Sequence, residues 1–260
     1  YSAMKFLLFT LSGSALLIIG FLCIYFSSGT FNLDELNRIQ INWIIPSAFV
    51  FILIFIGFSI KLPMWPLHGW LPDAHTDAPT AASVLLAGLL LKMGGYGIIR
   101  ICYSIMSSDA QDLSLIISVF GVISVIYGAL MTLRQTDLKR LVAFSSVSHM
   151  GYILIGLSAF SSSDLITQKL GLSGASLQMV SHGLITGLLF YLVGGIYEKC
   201  KTREVYELGG LSSNFKFSSV ALAIGGMASL GLPGTSGFIA EIMVFMGGFA
   251  EYNILTSISV

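Results

Sequence analysis

Apolar and polar residues follow one another along this chain in blocks, not with the period of an amphipathic helix. The apolar runs cover residues 6–26, 44–60, 81–99, 113–133, 141–160, 171–197, 218–232 and 238–250, and polar connectors separate most of them. A helix rises about 1.5 Å per residue and crosses a hydrocarbon core of about 30 Å in ~20 residues, so most of these runs have the length of a membrane span. The last two have 15 and 13 residues and are joined by Pro233, Gly234, Thr235, Ser236 and Gly237. Each is too short to span and together they are too long for one straight helix. The pattern predicts a single membrane helix over 218–250, broken in the middle.

A second break is predicted after Ile60. The chain continues Lys61-Leu62-Pro63-Met64-Trp65-Pro66-Leu67-His68-Gly69-Trp70-Leu71-Pro72. Pro63 and Pro66 remove backbone donors and clash with the preceding turn, while apolarity persists to Leu71. This predicts a broken helix over 44–72. Paired interrupted segments of this kind point to inverted repeats with a site at the broken helices. The predicted fold class is all-α: a polytopic transmembrane helix bundle with inverted repeats and two discontinuous helices.

Composition agrees. The chain is 55% hydrophobic and 10% charged, against about 25% charged residues in soluble domains. Its 13 basic and 13 acidic residues balance, which gives no footprint for nucleic acid. With seven spans, one face holds Lys5, Arg134, Lys139, Arg140, Lys199, Lys201, Arg203 and Lys216, and the other holds Arg38, Arg100 and Lys169. The richer face is predicted to be cytoplasmic or its equivalent. On this count the two broken helices run in opposite directions, as an inverted repeat requires. No signal peptide is visible. The chain opens without a start methionine and stops inside a fresh apolar run, 253–260. It is therefore expected to be one transmembrane domain, 1–260, truncated at both ends.

Few ionisable residues fall inside the runs: Lys61, Lys92, His149, His182 and Glu241. A charge at mid-bilayer costs roughly 2.5–3.5 kcal/mol on insertion scales, so each is a functional candidate. Lys92 lies near mid-depth, with neither helix end within easy reach. His149 and His182 have Ser145 and Gln178 one turn earlier on the same helix face. Histidine titrates near neutrality and burial lowers the proton affinity of lysine, so such groups can exchange protons. Plainer readings compete: a snorkelling helix end for Lys61, satisfied interhelical hydrogen bonds for the histidines, and an N-terminal dipole contact for Glu241. His68, Asp73, His75 and Asp77 have ligand chemistry without a metal spacing, and Asp77 and Thr80 are expected to cap the helix carrying Lys92. Cys23, Cys102 and Cys200 are scattered and are read as inert buried thiols. With no glycine-rich phosphate loop and no cysteine cluster, no metal, redox or cofactor-binding residues are expected in this chain.

The stretch from Lys61-Leu-Pro-Met-Trp-Pro-Leu-His-Gly-Trp-Leu-Pro-Asp-Ala-His75, through Ala78-Pro-Thr-Ala, to Leu-Leu-Ala-Gly-Leu-Leu-Leu-Lys92-Met-Gly-Gly-Tyr-Gly, resembles the antiporter-like membrane subunits of respiratory complex I, most closely the chain-4 type. That type includes mitochondrial subunit 4, the bacterial M subunit and the cyanobacterial and plastid D subunit. Supporting stretches begin at Leu133, Ser145, Gln178, Tyr197 and Leu232, and the resemblance covers nearly the whole chain. It implies helices six to twelve and the start of thirteen of a fourteen-helix subunit, with the seventh and twelfth broken. It also implies proton translocation as a subunit of NADH (or ferredoxin/NADPH):quinone oxidoreductase. The alternatives are a cation/proton (Na+/H+) antiporter subunit of the Mrp type and a membrane scaffold without a proton path.

The resemblance makes Lys61 the seventh-helix lysine, which pairs with a glutamate on a helix that would precede Tyr1. Lys92 becomes the central lysine, His149 and His182 the continuation of the polar axis, and Glu241 the exit-side acid, where related antiporter-like subunits usually carry lysine. NADH, FMN, iron–sulfur clusters and quinone are implied in partner subunits. The implied partners are chain-2-like and chain-5-like antiporter subunits, together with lipids. The implied location is the mitochondrial inner membrane or bacterial plasma membrane, ahead of the thylakoid membrane.

Overall fold

The computed structural model describes residues 1–260, and the regular structure is all helical apart from one isolated bridge between Asp137 and Glu204. Each predicted span has a counterpart. Helix α1 is Ser2–Ser28, the first broken helix is α2 (Ser47–Lys61) followed by α3 (Trp70–Asp77), and α4 is Thr80–Tyr103. Then come α5 (Ser114–Leu133), α6 (Leu138–Ser158) and α7 (Leu165–Cys200). The second broken helix is α8 (Lys216–Ser229) followed by α9 (Ser236–Glu251). Five helices are long and apolar enough to cross a membrane unaided. Large apolar side chains such as Leu8, Leu11 and Ile18 on α1 face outward, as expected of a surface solvated by lipid. The protein is an integral membrane protein.

Polar contacts separate the two faces. Lys5 meets Asp73 at 2.7 Å, Arg140 meets Asp73 at 3.6 Å and Arg203 meets Asp137 at 3.1 Å. Arg203 also donates to the Thr76 carbonyl (2.8 Å) and Lys139 to the Ala78 carbonyl (2.7 Å). Lys5, Lys139, Arg140 and Arg203 are all residues that the sequence assigns to the basic face. At the other end, the Ser47 hydroxyl donates to Asp109 (3.0 Å) and the Ser161 hydroxyl to Glu251 (3.1 Å). The first broken helix therefore runs toward the basic face. The second starts there, with Lys199 of α7 packed 4.9 Å above the Phe215 ring, and runs away from it.

Three sequence expectations change. Helices α6 and α7 extend past their apolar runs, so Lys139 and Lys169 sit in helical turns and not in connectors. Asp77 and Thr80 do not cap α4: Pro79 is its N-cap residue, while Asp77 ends α3 and accepts a hydrogen bond from Ser2 at 2.5 Å. No side chain accepts a hydrogen bond at this helix start. Of the cysteines, only Cys102 is fully buried.

Backbone groups freed by a break inside hydrocarbon need internal partners. At the first break, Trp70 Nε1 donates to the Ile60 carbonyl (2.8 Å), and the Trp65 N–H donates to Ser124 Oγ (3.0 Å). The second break closes on itself, with Leu232 N–H donating to Met227 O at 3.2 Å and Thr235 N–H to Leu232 O at 3.1 Å. Gly231 (φ 65°) and Gly234 (φ 97°) make that turn in left-handed backbone, which only glycine adopts without strain. Elsewhere small residues set the helix spacing: a Cβ at Gly151 would lie 2.6 Å from the Gly121 carbonyl across the α5–α6 interface.

Candidate functional site

Lys92 points from α4 into the bundle. Its Nζ lies 2.7 Å from His182 Nδ1 and donates to the Ala87 carbonyl at 2.5 Å. Ala87 belongs to a π-helical turn, Leu86–Leu90, immediately before the lysine. Space for the side chain comes from Gly183 on α7, where a Cβ would stand 3.3 Å from Lys92 Cε. An ammonium only donates hydrogen bonds. With Lys92 charged, His182 Nδ1 therefore accepts, and the hydrogen of the neutral imidazole sits on Nε2. That nitrogen is buried without a protein partner.

His182 lies beside His149 of α6, with ring centroids 5.3 Å apart. His149 is the most connected group of the site. Gln178 Nε2 lies 3.2 Å from its Nδ1, Ser229 Oγ lies 3.3 Å from its Nε2, and Glu241 Oε1 lies 3.7 Å from Nδ1. Ser181 and Ser236 share a hydrogen bond of 2.8 Å. His149, Gln178, Ser181, His182, Ser229 and Glu241 line a cavity of about 10 Å³, close to the room one water molecule needs. Lys92, His182, His149 and Glu241 thus form one line, crossing from α4 through α7 and α6 to α9.

Glu241 is held by the broken helix. Because α9 begins at Ser236, the carboxylate lies beyond the first turn. A helix dipole acts within the first turn, so the dipole reading gives way to the contact with His149. The Glu241 carboxylate rests on the turn of the break, where a Cβ at Gly231 would collide with its Oε2.

Lys61 stands apart. It is the last residue of α2, half-buried, and has no hydrogen bond or ion pair within this chain. At ~1.5 Å per residue α2 extends about 22 Å before the break, and α3 continues to Asp73 and its ion pair with Lys5. Lys61 therefore sits at the break, not at a helix end in the headgroups. The candidate ligand residues do not converge either. Asp73 and Asp77 are engaged by Lys5 and Ser2, while His75 stacks on Phe190 with ring centroids 4.4 Å apart and His68 packs against Tyr127 at 4.8 Å. Sequence reasoning did not single out Ser229 or Gly231. The available signal was a hydroxyl in the last turn before the Leu232-Pro233-Gly234 break.

The family described as NADH:quinone oxidoreductase/Mrp antiporter, transmembrane, matches residues 1–260. This chain belongs to that family. Subunit M of the NADH-quinone oxidoreductase of Rickettsia bellii is 40% identical over 258 residues, 99% of this chain and 51% of that protein. An NAD(P)H-quinone oxidoreductase chain 4 of Synechococcus is 43% identical over 253 residues, 95% of this chain and 46% of that protein. The chain thus spans about half the length of these relatives. Among solved structures, a chain of respiratory complex I from Thermus thermophilus superposes with a TM-score of 0.89 at 29% identity, covering 99% of this chain and 54% of that one. A chain of the Mrp complex from Dietzia gives a TM-score of 0.89 at 25% identity, covering 100% and 47%. The likeness covers the all-helical fold of this chain over almost its whole length.

Proposed function

We propose that the chain translocates protons as part of a membrane subunit of an NADH (or ferredoxin/NADPH):quinone oxidoreductase. The observation carrying this reading is the succession of Lys92 Nζ, His182, His149 and Glu241, with 2.7 Å from Lys92 to His182, ring centroids 5.3 Å apart at the two histidines and 3.7 Å from His149 to Glu241. A proton given by Lys92 to His182 Nδ1 releases the Nε2 hydrogen on the far side of the ring. Water in the cavity carries it to His149, which passes it to Glu241. An imidazole can accept at one nitrogen and donate at the other, so the His182 ring advances the charge without moving far.

Lys61 is the entry-side group in this reading, at the other broken helix. A lysine charge about 8 Å from the next, at an effective dielectric of about 20, changes its energy by about 2 kcal/mol. Coupling of that size lets the state of one lysine gate the next. Electron transfer, with NADH, FMN, iron–sulfur clusters and quinone, belongs to partner subunits, and this chain supplies a non-redox part of the translocase. Chain-2-like and chain-5-like membrane subunits are the proposed neighbours, with the bacterial plasma membrane as the location suggested by relatives in Rickettsia and Rhodobacter. In the assembled complex in sealed vesicles, Lys92→Met is expected to abolish proton translocation through this subunit. Undiminished translocation would refute the role.

A second reading, a cation/proton antiporter subunit, draws on the likeness to the Mrp complex chain. Glu241 stands where the resemblance places lysine in most antiporter-like subunits, which favours the first reading. Sodium-dependent proton movement by the assembled protein without a redox partner would reverse that preference.

A further inference from the structure

We infer that Gln178 and Ser229 are positioning residues that fix which nitrogen of His149 gives up its proton, so that transfer to Glu241 runs through Nδ1. The inference rests on the proton-translocation reading and adds to it the nitrogen used at one ring.

Gln178 is 2% exposed, with its amide nitrogen 3.2 Å from His149 Nδ1. Its amide oxygen, Oε1, is buried with no partner. On the other side of the ring, Ser229 Oγ lies 3.3 Å from Nε2. A neutral imidazole has one donor and one acceptor nitrogen, and an amide –NH2 only donates. Nδ1 therefore accepts from Gln178, and Nε2–H donates to Ser229. The resting tautomer leaves the lone pair on the nitrogen that faces Glu241, whose Oε1 lies 3.7 Å away.

A proton arriving from the His182 side adds to Nδ1, and both ring nitrogens then donate. The –NH2 of Gln178 now opposes an N–H. Half a turn of the amide brings Oε1, the unpartnered acceptor, onto Nδ1–H. In the next step the Nδ1–H bond breaks, its electron pair stays on the ring, and an O–H bond forms on Glu241. His149 is again neutral, its Nε2 hydrogen still on Ser229, and the amide turns back. The titratable groups facing the ring are His182, with Lys92 behind it, Glu241 and Tyr152, whose ring centroid lies 6.0 Å away, so Gln178 and Ser229 are the non-titrating groups that distinguish its two nitrogens. Ser229 is the last residue of α8, directly before the turn on which Glu241 rests. The same break thus orients both the donor ring and the acceptor.

The test compares Ser229→Thr with Ser229→Val in the assembled complex in vesicles, reading protons translocated per quinone reduced. The two side chains share a shape and differ in the hydroxyl. Valine is expected to lower the translocation rate per quinone ~5-fold, the scale of one net hydrogen bond, and threonine to retain it. Equal ratios for the two variants, whether high or low, would overturn the assignment. Gln178→Glu, an acceptor only when ionised, is expected to hold the proton on Nδ1 and block translocation, and wild-type translocation in that variant would count against the amide's role. Infrared difference spectra supply a readout independent of assembly. The Gln178 side-chain carbonyl band, identified by its loss in Gln178→Glu, is expected to shift during turnover, and a static band would overturn the rotation. A Lys92→Met control keeps the two ideas separate: normal translocation there defeats the proton-path reading as a whole, whereas equal Thr and Val ratios defeat only the His149 assignment.

Discussion

The two broken helices use the same device to different ends. At the first, side chains repair the backbone: Trp70 covers the Ile60 carbonyl, and Ser124 covers the Trp65 N–H. The ionisable group there, Lys61, is left without a partner in this chain. At the second, two glycines turn the backbone, and side chains are free to serve the buried charge: Ser229 holds His149, Ser236 meets Ser181, and Glu241 faces the imidazole. A helix break creates unsatisfied polar groups in hydrocarbon. How they are satisfied decides whether the break is only a joint or also half of a site.

Substitutions at the two breaks separate these roles. The largest effect is expected for Glu241→Gln, which removes the terminal proton acceptor. Proton translocation by the assembled complex should fall to background, and translocation above half the wild-type rate would remove Glu241 from the path. Lys61→Met should also impair translocation, yet the side chain has no hydrogen bond or ion pair within this chain, so the resistance of the 260-residue chain to denaturant should be unchanged or higher. A marked loss of stability would mean that Lys61 is held by a contact. Trp70→Phe keeps the packing at the first break and leaves the Ile60 carbonyl bare. It should cost about 1–3 kcal/mol, the penalty for one unsatisfied buried group, read as a lower denaturation midpoint.

The smallest effect lies away from both breaks, at Asp164, which caps α7. The Thr167 hydroxyl foremost, then the backbone N–H groups of Ile166 and Thr167, hold its carboxyl below the ordinary carboxylate range. A depressed value means that the cap stabilises fully above the ordinary pKa and is lost as pH falls through the lowered one. Asp164→Ala should flatten the acid end of the stability curve, and an unchanged curve would show that the cap contributes nothing.

Much of this was legible in the sequence. Block-like apolarity gave the spans, and Pro63, Pro66, Pro233 and Gly234 marked both breaks because proline and left-handed glycine are local constraints. The ionisable residues stood out because charge in hydrocarbon is rare. What stayed hidden depends on how helices meet. Lys92, His182, His149 and Glu241 come together from four different helices, and no single-helix period encodes that. The same argument covers Ser229, an ordinary serine until α8 lies against α6, and Asp77, whose expected capping role went to Pro79 because Asp77 was already within the preceding helix. Glu241 is three residues into the apolar run 238–250, but its helix starts two residues earlier, at Ser236, which puts it beyond the first turn.

The central claim is that Lys92 gives up its proton in each cycle and does not merely supply a fixed charge. Lys92→Arg tests this most directly, because arginine keeps the charge and does not deprotonate in proteins. The measurement is proton translocation by the assembled complex in sealed vesicles, normalised to quinone reduced. Loss of translocation in Lys92→Arg, matching Lys92→Met, is the predicted result. Translocation sustained by arginine would contradict the account.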